Sequence, residues 1–324
     1  MKKKINNYLN SIPYQLFSKI NFFYETLISL EEFIWKNKIE EKKIDTFLYV
    51  CGYPRSGTTV IANFLNLSEN FSAYTHRDMP LILSPILWSK FSNIYYKGFK
   101  EIKRKHGDLM TINMNYVDSF EEIIWKNFEN KKNFFEIYKK NVKKLVYLKK
   151  KSHFLSKSNQ NLARIKLIIR KITNSKFLII YRNPLSQLKS LLKVNKIFFD
   201  EIEKNQHFLK ELDFLGHYEF GPNRKFIFTD LKNINQIKID WYKGNYALSY
   251  IQEWIDVHQM IFNDYSSYEK IKIVNYDKIK DNYKDQIIKI SKFCKLNFDE
   301  NNIQEYSKIF NFQSSSDSLK INFD

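Results

Sequence analysis

The chain has 324 residues, 44% hydrophobic and 17% aromatic. That is enough apolar content to bury one large core, and it excludes a disordered or disulfide-stapled small domain. Lys plus Arg number 53 against 35 Asp plus Glu, a formal charge of +18, which favours polyanionic partners. The cations are overwhelmingly Lys in a chain also crowded with Asn and Ile. That bias raises charge without selecting nucleic acid, so a small polyanionic cosubstrate is the better expectation.

Arg is scarce: Arg55, Arg77, Arg104, Arg164, Arg170, Arg182 and Arg224 are all there are. Where Lys is the default cation, a retained guanidinium suggests planar, multi-donor recognition of a phosphate. Cys51 and Cys294 build no disulfide framework and fit a reducing compartment. The basic start Met1-Lys2-Lys3-Lys4 leads into no clean apolar run. Neither a signal peptide nor a membrane span is expected, and a soluble cytoplasmic protein is. Peripheral membrane contact through this basic, aromatic segment stays open.

In chain order, residues 5–43 read as one or two helices, with Leu16, Ile20, Phe23, Leu27 and Leu30 at helical spacing. We set residues 1–44 apart as a helical extension and 45–324 as the main domain. Phe47-Leu48-Tyr49-Val50-Cys51 is a short apolar run of strand type, followed at once by a Gly/Pro turn and a helix from Thr58. Further strands are expected at Phe71–Thr75, Phe154–Ser156, Phe177–Tyr181 and Ile271–Asn275. Helical patterns lie between them at 79–92, 119–149, 159–173, 184–194, 199–215 and 244–265. Strands separated by helices imply an α/β fold, with a central parallel sheet of about five strands flanked by helices. Ligands of such sheets bind beyond the carboxyl ends of the strands.

The first motif sits at such an end. Gly52-Tyr53-Pro54-Arg55-Ser56-Gly57-Thr58-Thr59 has the frame G-x-x-x-x-G followed by two hydroxyl residues, between a strand and a helix. The glycines let successive N–H groups curl toward one anion, assisted by the helix N-terminus. The position that is Lys in nucleotide triphosphatases is Thr58, and a cation stands three residues earlier as Arg55. That chemistry suits one phosphosulfate and needs no metal. Pro54-Arg55-Ser56-Gly57-Thr58-Thr59 resembles the 5′-phosphosulfate loop of sulfotransferases that use 3′-phosphoadenosine 5′-phosphosulfate (PAPS), in its bacterial and Golgi-type version. The resemblance implies a P-loop-like fold and PAPS as cosubstrate.

A second apolar strand ends in Tyr181-Arg182-Asn183-Pro184, and the helix after it carries Ser190. This is similar to the family's 3′-phosphate motif, in which an Arg at the strand end and a Ser on the helix grip the phosphate. Asn183 replaces the usual Asp.

Sulfuryl transfer needs a base at the acceptor, cations on the leaving phosphate and in-line placement. In the tyrosylprotein-type relatives a catalytic Glu lies behind the phosphosulfate loop, and an ungapped count lands here on His76. His takes a proton at neutral pH. Asp78 either orients His76 or is itself the base, and Arg77 lies on the substrate or sulfate side. Lys157, in Ser156-Lys157-Ser158-Asn159, resembles the family's Lys-Thr-Pro-x-Asn segment, whose Lys neutralises charge at the transferring group. His106-Gly107-Asp108, Glu121-Glu122 and the segment from Gly216 to Gly221 resemble stretches of a bacterial branch and are expected to shape an acceptor pocket. Trp254 and the strand end at Tyr276-Asp277 are expected to be structural. The resemblance runs from Phe47 to Leu296. Six His and two Cys form no zinc-like spacing, so no metal is expected.

The expected function is therefore sulfuryl transfer from PAPS to an acceptor hydroxyl or amine, with surface-glycan precursors favoured among acceptors by analogy. The alternatives are a kinase or nucleotide hydrolase, disfavoured by Thr58, and a basic nucleic-acid-binding protein, for which no module appears.

Overall fold

The computed structural model describes residues 21–97, 102–103 and 111–295. Its strands are β1 (Thr46–Cys51), β2 (Phe71–Ala73), β3 (Ile102–Lys103), β4 (Thr111–Ile112), β5 (His153–Lys157), β6 (Ser175–Tyr181) and β7 (Ile271–Asn275). The helices up to β6 are α1 (Asn21–Glu40), α2 (Thr58–Asn66), α3 (Pro85–Tyr95), α4 (Glu122–Phe128), α5 (Phe134–Lys149) and α6 (Asn161–Lys171). After it come α7 (Pro184–Lys204), α8 (His207–Leu215), α9 (Ile234–Tyr242), α10 (Tyr246–Tyr265), α11 (Tyr276–Asp281) and α12 (Tyr283–Cys294).

The main sheet has five strands in the order β2-β5-β1-β6-β7. Every pairing in it is parallel, as expected, and β3 pairs with β4 in a separate antiparallel ladder. The central strands are apolar on both faces because both faces are covered. Phe47, Tyr49, Cys51, Phe177 and Ile179 point into one core with α5, α6, α7 and α10. Leu48, Val50, Leu178 and Ile180 point into the other with α2 and α12. Each such buried side chain stabilises the fold by about 1.5–3 kcal/mol. α1 docks on α5, where Lys144 Nζ lies 3.5 Å from Glu31 and 3.2 Å from Glu32. No helix among the described residues is long and apolar enough to cross a membrane.

The helix boundaries differ from the sequence expectation for local reasons. The pattern expected over 79–92 starts as a helix only at Pro85, whose fixed φ suits the first turn. The 119–149 pattern splits between α4 and α5 at a wholly polar stretch, Glu129-Asn130-Lys131-Lys132-Asn133. The two patterns at 184–194 and 199–215 divide elsewhere: α7 runs on to Lys204, because Val194, Phe198 and Ile202 form one buried stripe. Helices α9, α11 and α12 were not expected. All five parallel strands have their carboxyl ends on one edge of the sheet. That edge carries the turn after β1, the His76 loop after β2, Lys157, Arg182 and Tyr276.

Candidate active site

The turn after β1 is built around close approaches. A Cβ on Gly52 would stand 2.3 Å from the Ile180 carbonyl oxygen, so only glycine lets β6 pass this near. Gly57 has φ +100°, and a Cβ there would meet the Tyr276 ring at 2.4 Å. Arg55 is itself left-handed at φ 67°, a conformation that costs a non-glycine residue energy and needs support from its surroundings. That support comes from α7 and α10. Gln187 Nε2 donates to the carbonyls of Tyr53 (3.1 Å) and Pro54 (2.8 Å), and Trp254 Nε1 donates to Gln187 Oε1 at 2.9 Å. The Tyr53 hydroxyl donates to Glu253 at 2.6 Å. Glu253 in turn pairs with Arg224, which is buried among Phe226, Trp241 and Tyr250.

The turn offers anion-binding groups. The first N–H groups of α2 have no partner inside the helix. Ser56 Oγ is fully buried and has no hydrogen-bond partner among the described residues. Arg55 Nε donates to Ser190 Oγ at 3.0 Å, which joins two motifs 135 residues apart. Arg182 stands at the end of the adjacent strand, its guanidinium 5.7 Å from the Tyr276 ring centroid. Its Nε is 3.8 Å from Asp277, whose other oxygen accepts from Asn183 N at 2.6 Å. Tyr276 thus touches both the turn's glycine and Arg182.

On the other side of the turn, Thr58 Oγ1 donates to Asn159 Oδ1 at 3.0 Å, and Asn159 Nδ2 donates to Glu219 Oε1 at 2.7 Å. The amide's orientation follows from chemistry, because a carboxylate accepts only and must face the NH₂ group. A small polar cleft opens here, lined among others by Asp118, Glu122, Lys157, His217, Glu219 and Phe220. The segment from Gly216 to Gly221, Glu122 and Lys157 therefore meet in one pocket. Lys157 is buried and donates to Asp118 Oδ1 and Ser119 Oγ, both at 3.0 Å. Glu122 accepts from both terminal nitrogens of Arg164, at 2.7 and 3.0 Å.

His76 and Asp78 are differently placed. The His76 ring packs edge-on against Phe120, 4.8 Å between centroids, and the residue's backbone N–H donates to Tyr116 O. Asp78 Oδ2 accepts from Thr75 N (2.7 Å), Thr75 Oγ1 (2.9 Å) and Lys149 Nζ (2.8 Å). Such a carboxylate holds the loop. Neither residue lines the cleft. Arg77 donates to Asn93 at 2.8 Å. The His106-Gly107-Asp108 segment lies outside the described residues. Among those residues, no cluster of His, Cys, Asp or Glu could hold a metal ion.

The sequence alone assigns no role to Gln187 or Asp118, whereas Trp254 and Tyr276, expected to be structural, brace the turn. The scarce arginines read there as phosphate ligands. Arg164 and Arg224 serve instead in buried pairs with Glu122 and Glu253, where a weakly hydrated, multi-donor cation is equally at an advantage.

Glu121, beside the cleft, is buried with Asn161 Nδ2 at 2.7 Å and the Tyr138 hydroxyl at 3.4 Å. Burial pushes its carboxyl up to about 7 from 4.5. Between those values the unfolded chain loses the proton while the folded one keeps it, so stability falls as pH rises through this window. The loss reaches about 3 kcal/mol at most. Glu121→Gln is expected to remove it: in thermal melts, variant and parent converge near pH 5, and the variant gains on the parent toward pH 8. Parallel curves would show that Glu121 does not titrate there.

No curated protein matches the sequence. Similar solved structures include sulfotransferase STF1 from Mycobacterium tuberculosis H37Rv, at 11% identity and TM-score 0.48, covering 90% of this chain and 80% of that one. Sulfotransferase STF9 from Mycobacterium avium is 11% identical at TM-score 0.49, with 87% and 71% covered. The sulfotransferase domain from the curacin biosynthetic pathway is 14% identical at TM-score 0.38, with 80% and 77% covered. The family model described as "Sulfotransferase domain" matches residues 45–322. The chain belongs to the sulfotransferase domain family, and it is an enzyme that transfers a sulfuryl group to an acceptor.

Proposed function

We propose that the sulfuryl donor is PAPS, held at both ends. In this reading Gly52, Pro54, Arg55, Ser56, Gly57, Thr58 and Thr59 cradle the 5′-phosphosulfate, while Arg182 and Ser190 take the 3′-phosphate. The observation that carries it is the Arg55–Ser190 hydrogen bond, which puts the two anion motifs within one side chain of each other. Orphaned Ser56 Oγ and the α2 N-terminus supply further donors. Lys157, by its resemblance to the family's Lys, would offset charge gathering on the leaving phosphate. His76 and Asp78 are the two candidates for the base read from the sequence, and both stand outside the cleft lining.

The acceptor is a hydroxyl or amine compound that suits a polar cleft, with a glycan or glycan precursor favoured. We place the enzyme in the cytoplasm with no nucleic-acid partner. Any membrane contact would be peripheral, through exposed side chains such as Phe33 of α1, and cell fractionation reads both points.

Thr58 in place of the triphosphatase Lys argues against a kinase and for metal-independent transfer. Labelled PAPS with extracts of the cell's own glycans and metabolites, in excess EDTA, is expected to give labelled product. Activity that disappears on chelation and returns with Mg²⁺ would favour the triphosphatase class.

A further inference from the structure

The three carboxylates of the cleft are held in different ways. Asp118 is tied to Lys157, and Glu122 to both nitrogens of Arg164 and to Ser158. Glu219 has a neutral partner: its Oε1 accepts from Asn159 Nδ2 at 2.7 Å. It forms no ion pair with any described residue, it is half-buried, and its second oxygen has no hydrogen bond among the described residues. Asn159 also accepts from Thr58 at 3.0 Å. One amide therefore fixes Glu219 relative to the turn that would hold the leaving group.

We propose that Glu219 is the catalytic residue that takes the acceptor's proton, an inference that rests on the PAPS-dependent reading above. The acceptor oxygen or nitrogen forms a bond to sulfur as the bond from sulfur to the bridging oxygen of the phosphosulfate breaks. The electron pair leaves on the 5′-phosphate of adenosine 3′,5′-bisphosphate, and the acceptor proton passes to Glu219 Oε2. The other candidates are less suited. Asp118, Glu122 and Asp78 are already engaged in ion pairs, with Lys157, Arg164 and Lys149 respectively. His76 does not line the cleft. A positioned base accelerates transfer by about 10²–10⁴-fold, and hydrogen bonding through Asn159 supplies the positioning.

The test uses the full chain and Glu219→Gln, which keeps an oxygen for Asn159 to donate to. Affinity for adenosine 3′,5′-bisphosphate is measured by calorimetry, and transfer by label moving from PAPS to extract acceptors. Transfer should fall by about 10²–10⁴-fold while nucleotide affinity stays at the parent's value. Parental transfer rates in Glu219→Gln would overturn the assignment, and collapse in His76→Ala alone would move the base to His76. A parent chain that binds no bisphosphate nucleotide, or binds it and labels nothing, would instead sink the donor reading, so the two failures are distinguishable.

Discussion

Arg224→Met is expected to destabilise the protein by about 3–5 kcal/mol, the usual cost of removing one partner from a buried ion pair. The guanidinium lies 4.5, 4.4 and 4.5 Å from the Phe226, Trp241 and Tyr250 ring centroids and pairs with Glu253, which is itself fully buried. Without it, Glu253 has the Tyr53 hydroxyl as a donor and no cation. Because Tyr53 belongs to the turn after β1 that we propose holds the 5′-phosphosulfate, the damage should reach nucleotide affinity as well as the melting temperature. The double variant Arg224→Met, Glu253→Leu removes the orphaned charge and should recover part of the loss, since well-packed apolar replacements of buried pairs are often neutral or better. Thermal melts of both variants decide the matter. A single variant that melts with the parent would show the pair to be energetically idle.

Arg55→Ala and Arg182→Ala should each weaken nucleotide binding by about 1.5–3 kcal/mol, the value of a charge-assisted hydrogen bond. That corresponds to roughly 10–150-fold in Kd. Their ligand signatures should differ. Arg182→Ala should chiefly hurt ligands with a 3′-phosphate, and Arg55→Ala those with a 5′-phosphate. Arg55 also donates to Ser190, so its loss should carry a smaller penalty on the 3′ side, and Ser190→Ala should reproduce that penalty alone. Titrating both single-phosphate nucleotides and the bisphosphate into each variant separates these effects. Two variants with one common signature would mean that the motifs do not divide the ligand.

What could be read from the sequence was local. The strands were legible because β1 and β6 are buried on both faces, which gives unbroken apolar runs such as Phe177 to Tyr181. The turn after β1 was legible because its glycines and hydroxyls are contiguous. Helix ends were misjudged where a polar stretch or a proline outweighed periodicity, as between α4 and α5 and before Pro85. The supports of the turn were hidden for a different reason: Gln187, Glu253 and Tyr276 reach it from more than 130 residues away, with no spacing to reveal them. Asn159 is the instructive case. Its segment was recognised by resemblance around Lys157, but its bridge from Thr58 to Glu219 depends on three distant loops meeting at one edge of the sheet.

The central claim is that this edge grips a nucleotide bearing both a 3′- and a 5′-phosphate. Calorimetric titration of the unaltered chain with adenosine 3′,5′-bisphosphate in excess chelator tests it most directly. Saturable one-site binding that needs no metal and outcompetes ATP with Mg²⁺ is the result the account predicts. Binding of ATP with Mg²⁺ in preference to the bisphosphate, or no binding of either, would contradict it.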